Sequence, residues 1–313
     1  MMYLDSSAEE QRLAKLPRIV FVSTAALLAA GVAAGAAWSI TGDQVWLRSF
    51  FSYPGALFFI CCSALQVWLS FRCWRQFSSG DLLRPAWLLI AISAAAQLAG
   101  GLLNQIFGLD SRLNPLTLLP ASRAHALISA SGRLGQLFGP FYMAFLAGGL
   151  LYVLKACRRN GILGRLQTID LALLGCVVIY TANYFATVVF APEHGGRPVA
   201  PATIISWASD PLLCVLLFQA ILIRRSAANM GLGLISRCWL SFTVAIFLTS
   251  VGDIGLWAWS RGYLPQVLVL ASWYVWFLPS AAFALGPAYQ LLAILRATRG
   301  EIRLESDAQH ALR

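Results

Sequence analysis

Two aspartates carry the sharpest chemical signal in this sequence. Asp210 stands in "SDPLLCVLLFQ" and Asp253 in "LTSVGDIGLWAW". Both stretches are apolar, and Asp253 has no cation near it on the chain until Arg261. A carboxylate in hydrocarbon costs ~2.5–3.5 kcal/mol even on lenient scales, so an acid kept there marks a use. Three uses fit the chemistry: binding a cation, carrying a proton, or accepting hydrogen bonds that hold helices together.

The elements that must hold these acids follow from hydropathy. Eight apolar spans are predicted, at about 18–40, 50–72, 86–109, 135–156, 168–191, 203–224, 237–260 and 265–295. The runs are too long and too uniformly apolar for barrel strands, so the expected fold class is all-α, a polytopic membrane helical bundle. Asp210 lies about seven residues inside the outer start of the sixth span, and Asp253 about seven residues short of the outer end of the seventh. At ~1.5 Å per residue both sit roughly 10 Å below the outer helix ends. Asn183 and Tyr184 in the fifth span fall near that layer, as do Asn104 at the end of the third and Trp207 in the sixth. Tyr53, Gln105, Trp273 and Tyr274 lie close to it, and Pro211, Pro279 and Pro287 punctuate the neighbouring helices. Proline frees carbonyls that can line a cavity. The pattern predicts an outward-facing polar pocket between spans five and eight. Its ligand-binding candidates are Asp210, Asp253, Asn183, Tyr184, Asn104 and Trp207, and its expected ligand is a small molecule or a cation.

Composition sets the same frame. The 313 residues are 59% hydrophobic and 12% charged, with a mean hydropathy of +0.70, about half the charge of an ordinary soluble chain. The net charge of +10 reads as topology rather than nucleic-acid binding. By the predicted spans, 17 of the 23 Lys and Arg residues fall on one side, among them Arg72, Arg84, Arg158, Arg225 and Arg296. That bias predicts both termini in the cytoplasm. The lipid bilayer is then the first partner. No CxxC pair, HExxH or glycine-rich phosphate loop occurs, so no metal, cofactor or catalytic residue is expected, and the seven cysteines read as small buried hydrophobes. Acids in the first 18 residues argue against a cleaved leader. Ser6 and Glu9 fit a capping box for a short surface helix before the first span.

The chain also echoes itself. "SYPGALFFICCSALQVWLSFRCWR" at 52–75 resembles "SDPLLCVLLFQAILIRR" at 209–225. Residues 84–101 resemble 236–253, and 139–161 resemble 278–300, in the same order. The echoes point to two parallel four-helix repeats, 18–156 and 157–295, between a cytoplasmic segment 1–17 and a tail 296–313. Gly31 and Gly35 form a GxxxG, and Ala96 and Gly100 a small-xxx-small pair, both suited to close helix packing. The external stretch 120–135 reads as a surface connector with helix-forming residues.

Two families resemble parts of the chain. Ser209-Asp210, Ser250-Val251-Gly252-Asp253 and Pro279-Ser280-Ala281 are similar to the Tyr-Asp, Gly-x-Gly-Asp and Pro-Ala-Leu motifs of the intramembrane aspartyl proteases related to presenilin. The Tyr, the first Gly and the Leu differ here. "SYPGALFFI" and "SDPLLCVLL" resemble helix starts in the multi-span sensor modules that precede bacterial signalling domains. The tail after Arg296 is too short for an output domain, so a sensor would act through a cytoplasmic or membrane protein partner. The first expectation is a non-enzymatic sensor or accessory subunit of a bacterial-type inner membrane. The alternative is a small-solute or proton-coupled transporter, and the third reading is the protease. A reporter active only in the cytoplasm should work when fused after Arg313 and fail when inserted within 112–133; the opposite result would invert the topology.

Overall fold

The computed structural model describes residues 2–43, 45–103, 121–163, 167–186, 208–229, 233–260 and 266–311. At helix positions such as 121–137, 210, 253–260 and 266–276 it describes the backbone alone. The regular elements among these residues are all helical. They are α1 (Met2–Thr41), α2 (Val45–Phe50), one π-helical turn (Phe51–Gly55), α3 (Ala56–Gln76), α4 (Leu83–Leu103), α5 (Ala121–Arg159), α6 (Thr168–Tyr184), α7 (Ser209–Asn229), α8 (Leu234–Ser260) and α9 (Gln266–Ala311).

Seven helical segments are long and apolar enough to cross a membrane: Ala8–Thr41, Tyr53–Gln76, Leu83–Leu103, Phe138–Arg159, Pro211–Asn229, Leu234–Gly252 and Phe277–Arg299. They match seven of the eight expected spans. The fifth is the shorter apolar α6, and its continuation past 186 lies outside the described residues. The chain is a multi-pass membrane protein with an all-α bundle. Large apolar side chains such as Phe21, Val32, Val178 and Ile179 are mostly exposed, as lipid-facing positions should be.

Six helices close a ring in the order α3, α4, α5, α7, α8, α9, with α9 returning to α3; α1 leans on α9, and α6 on α7. Lipid tails are as apolar as leucine, so close approach and hydrogen bonding must hold such a ring. Between α4 and α5, a Cβ on Gly149 would stand 2.9 Å from Ile90 and 3.0 Å from the Ala86 carbonyl. One on Gly100 would stand 2.8 Å from Phe138. The Ser93 hydroxyl donates to the Tyr142 carbonyl across the same seam at 2.7 Å. Between α8 and α9, a Cβ on Gly286 would stand 2.4 Å from the Phe242 ring. In the centre, Trp87 of α4 meets Trp239 and Phe242 of α8, each at 6.1 Å between ring centroids. Phe242 also stacks on Trp239 at 5.4 Å and on Phe283 of α9 at 5.8 Å.

The two halves bury the same positions. Ala56, Cys62, Ser63, Gln66, Leu69 and Ser70 on α3 are buried, and so are Leu213, Gln219, Ala220, Ile223, Ser226 and Ala227 on α7, each 157 residues later. On α4, Ala86, Trp87, Ile90 and Ala94 correspond to Cys238, Trp239, Phe242 and Ile246, 152 residues later. On α5, buried Met143, Leu146, Gly149 and Leu150 match buried Ser280, Phe283, Gly286 and Pro287, 137 residues on. The sequence echo of that last pair, at 139, is two residues out of step with the packing.

Four local expectations are corrected. The N-terminal segment is continuous with the first span through Pro17, so Ser6 stands inside a helix and cannot cap one. The stretch from Ala121 is the first part of α5 and runs unbroken into the fourth span. Pro279 and Pro287 do not interrupt α9. Nearby side chains stitch the helix there: Ser280 donates to the Phe277 carbonyl at 2.7 Å, and the Cys73 thiol to the Pro287 carbonyl at 3.5 Å. Gly35 has nothing within 4 Å of a built Cβ, so the Gly31/Gly35 motif is not a tight seam at that residue.

Gly149→Ala and Gly286→Ala should each lower stability by about 1–3 kcal/mol, the usual cost of overpacking. At Gly149 the obstacle is backbone, and at Gly286 it is a ring wedged among three others. Gly175→Ala, with open space around it, should stay within about 0.5 kcal/mol. Unfolding in mixed micelles measures all three, and equal effects would show that these seams do not hold the ring.

Candidate functional site

The acids are placed first by helix register. α7 and α8 are antiparallel neighbours, and the Thr243 hydroxyl shares its proton between Trp239 of its own helix, at 2.8 Å, and the Ala220 carbonyl of α7, at 3.2 Å. Asp210 is ten residues before Ala220, and Asp253 ten residues after Thr243. Both steps lead toward the same end, so the two positions stand at the same level, ~15 Å from that contact. Position 253 also continues the helical stripe of Trp239, Phe242 and Ile246, all buried in the bundle. Register, not side-chain direction, is what the backbone settles here: the Asp210, Asp253 and Tyr184 side chains lie outside the described residues, as do Asn104 and Trp207 altogether. Asn183 is exposed on α6. One turn before Asp253, Thr249 and Ser250 turn their hydroxyls back to the Ala245 and Ile246 carbonyls, both at 2.9 Å.

Deeper in the bundle is a polar stripe that the sequence reading passed over. Ser63, Gln66 and Ser70 lie on one face of α3 and are 0%, 2% and 0% exposed. The Ser63 and Ser70 hydroxyls, the Gln66 Oε1 and, on α7, the Gln219 Oε1 have no hydrogen-bond partner among the described residues. Neither does the Trp87 Nε1. Each such buried group costs ~1–3 kcal/mol. The signal was present as polar residues at i, i+3 and i+7 in an otherwise apolar helix.

The third feature is the basic end. Arg72, Arg75 and Arg84 lie over the rings of Trp68, Phe71 and Trp74 at 5.2, 5.9 and 5.7 Å, an arrangement suited to a membrane–water boundary. Two acids near the start of α1 tie that end together. Glu9 pairs with Arg72 of α3. Glu10 pairs with Arg296 at 3.1 Å and Arg299 at 2.5 Å, both on α9. Asp170, at the start of α6, accepts from Arg225 of α7 at 2.6 Å and from the Gln167 amide at 2.7 Å. Sequence spacing gave no hint of these partners, which are 55 to 286 residues apart.

All seven cysteines are free, and the described residues contain no group of three metal-ligating side chains. No family model, curated protein or solved structure matches the chain.

Glu10→Gln should release Arg296 and Arg299 and speed tryptic cleavage at Arg12 and Lys15. Exposed pairs are worth ~0.2–1 kcal/mol each, so Tm should fall by only about 1–4 °C, and raised salt should bring the wild type toward the variant. Unchanged proteolysis would show that the clamp holds nothing.

Proposed function

We propose that the protein is a non-enzymatic sensor or accessory subunit of a bacterial-type inner membrane, with both termini in the cytoplasm. It takes a small solute or cation into the outer half of the bundle, with Asp210 and Asp253 as the recognising acids. One observation carries this reading. The bundle centre is filled at its basic end by Trp87, Trp239, Phe242 and Phe283, and these four are at most 5% exposed. Trp87 and Trp239 stand within two turns of the starts of α4 and α8. A ligand entering from the far end meets packed rings rather than a passage. Its binding is then felt as a shift in helix packing, which the cytoplasmic helix ends pass to a partner.

The paired layer of acids and the closed ring also suit a transporter, and the unpartnered stripe of Ser63, Gln66 and Ser70 favours that alternative. Both readings take the two halves as parallel repeats. The support is the shared burial pattern, together with the contact of Trp87 with Trp239: residues 152 apart in the echo touch each other, as equivalent residues do where a two-fold axis passes between them.

Proteoliposomes loaded with a pH-sensitive or cation-sensitive dye separate the readings. Under the sensor reading, protons, Na⁺, K⁺, Mg²⁺ and choline cross no faster than in empty vesicles. One of these cations, or a small solute from a thermal-shift screen, raises the Tm of wild type but not of Asp253→Asn. Flux that Asp253→Asn abolishes would replace the sensor with a transporter.

A further inference from the structure

A cavity of about 240 Å³ opens at the basic end, where α7 finishes, α8 begins and α9 passes alongside. Ala227, Leu234 and Ala293 give it an apolar wall, while Gly233, Ser236 and Arg296 bring polar atoms to it. The amides of Leu234, Ile235 and Ser236 precede the first bond of α8, from the Arg237 amide to the Gly233 carbonyl at 3.2 Å. They therefore have no acceptor within the helix. Gly233 has no side chain to cap them, and the helix dipole adds partial positive charge at that point.

Two further observations point the same way. Ser236 is only 4% exposed, borders the cavity, and its hydroxyl has no hydrogen-bond partner among the described residues. The charges at the rim are unbalanced. Arg296 and Arg299 share the single carboxylate of Glu10. Arg224, one turn before Ala227, holds a buried Nε that has no partner among the described residues.

We propose that this cavity binds the phosphate group of an anionic ligand through the Ser236 hydroxyl, the first-turn amides of α8 and the Arg296 guanidinium. Backbone amides at a helix start suit a tetrahedral anion, and an arginine adds charge-assisted bonds. The arginine–aromatic stacks on α3 and α4 mark this end as the membrane boundary, so the phosphate can belong to a lipid headgroup or to a soluble anion. The site is independent of the acids at the other end of the bundle.

The test uses the full chain in nanodiscs and in detergent, with Gly233→Asp and Ser236→Ala. A Cβ at Gly233 meets nothing within 4 Å and its φ is not positive, so aspartate fits there, caps the free amides and sets a carboxylate against the phosphate. Retention of phosphatidic acid over phosphatidylcholine, read by native mass spectrometry, should be strong in the wild type. It should fall about tenfold in Gly233→Asp, the size of one lost charge-assisted bond, and about threefold in Ser236→Ala. The Tm of Gly233→Asp should hold or rise, which separates loss of binding from loss of fold. If instead sodium phosphate, against sodium chloride at equal ionic strength, raises the Tm of wild type and not of Gly233→Asp, the ligand is a soluble phosphate. Equal lipid retention and equal response to phosphate in wild type and Gly233→Asp would overturn the proposal.

Discussion

The bundle depends on how closely its helices approach each other at a few small residues. In water, burying apolar surface would bring these helices together; in lipid that drive is absent. What remains is contact area and hydrogen bonding between partners that fit. Gly149 lets α5 come within van der Waals reach of the α4 backbone, and Gly286 lets α9 lie against the Phe242 ring. Those approaches set the diameter of the ring, and the diameter decides what fills it. With the seams this tight, four aromatic side chains occupy the centre at one end, and each aromatic pair adds ~0.5–1.5 kcal/mol beyond its burial. The path through the bundle is thus set by glycine positions on its outer seams as much as by the residues inside.

The two ends of the molecule obey different rules. At the basic end, charges stand where water and headgroups screen them, and the ion pairs of Glu9, Glu10 and Asp170 act as locators rather than as large sources of stability. They fasten the two helices outside the ring. α1 is held by Glu9 and Glu10 to α3 and α9, while α6 is held to α7 at Asp170. Toward the other end the same residue type has a different meaning, because Asp210 and Asp253 occupy helix positions within apolar segments. An acid there costs free energy that no rim contact offsets, so its retention is what supports a functional reading.

Much of this was legible in the chain. The spans follow from apolar runs, because lipid allows little choice of structure. The common level of Asp210 and Asp253 follows from counting residues along two antiparallel helices, and the Thr243–Ala220 contact gives the same register. The burial of α3 and α4 recurs in α7 and α8 at the spacings of the echoes. For α5 and α9 the echo aligned prolines and arginines, but packing aligned Gly149 with Gly286, since close approach follows the small residue and not the best string match. The continuity of α1, α5 and α9 was not legible. A proline reads as a break only while the groups around it are unknown, and Ser280 and Cys73 supply bonds that no local pattern announces. The partners of Glu9, Glu10 and Asp170 were illegible for the same reason, since each lies on a distant part of the chain.

The unpartnered polar atoms inside the bundle press hardest on any account of function. Ser63, Gln66 and Ser70 repeat along one face of α3, and their counterparts 157 residues later are Ala220, Ile223 and Ala227. If the polar stripe served packing alone, the second half would show that the same positions can be filled by apolar residues with the same burial. Stability therefore gives no reason for the first half to keep three polar residues there, at ~1–3 kcal/mol for each unsatisfied group. The difference between the halves isolates what α3 does from what the fold requires. A polar face turned into the bundle on one side only gives the interior a direction around the ring, which a purely structural repeat would not need.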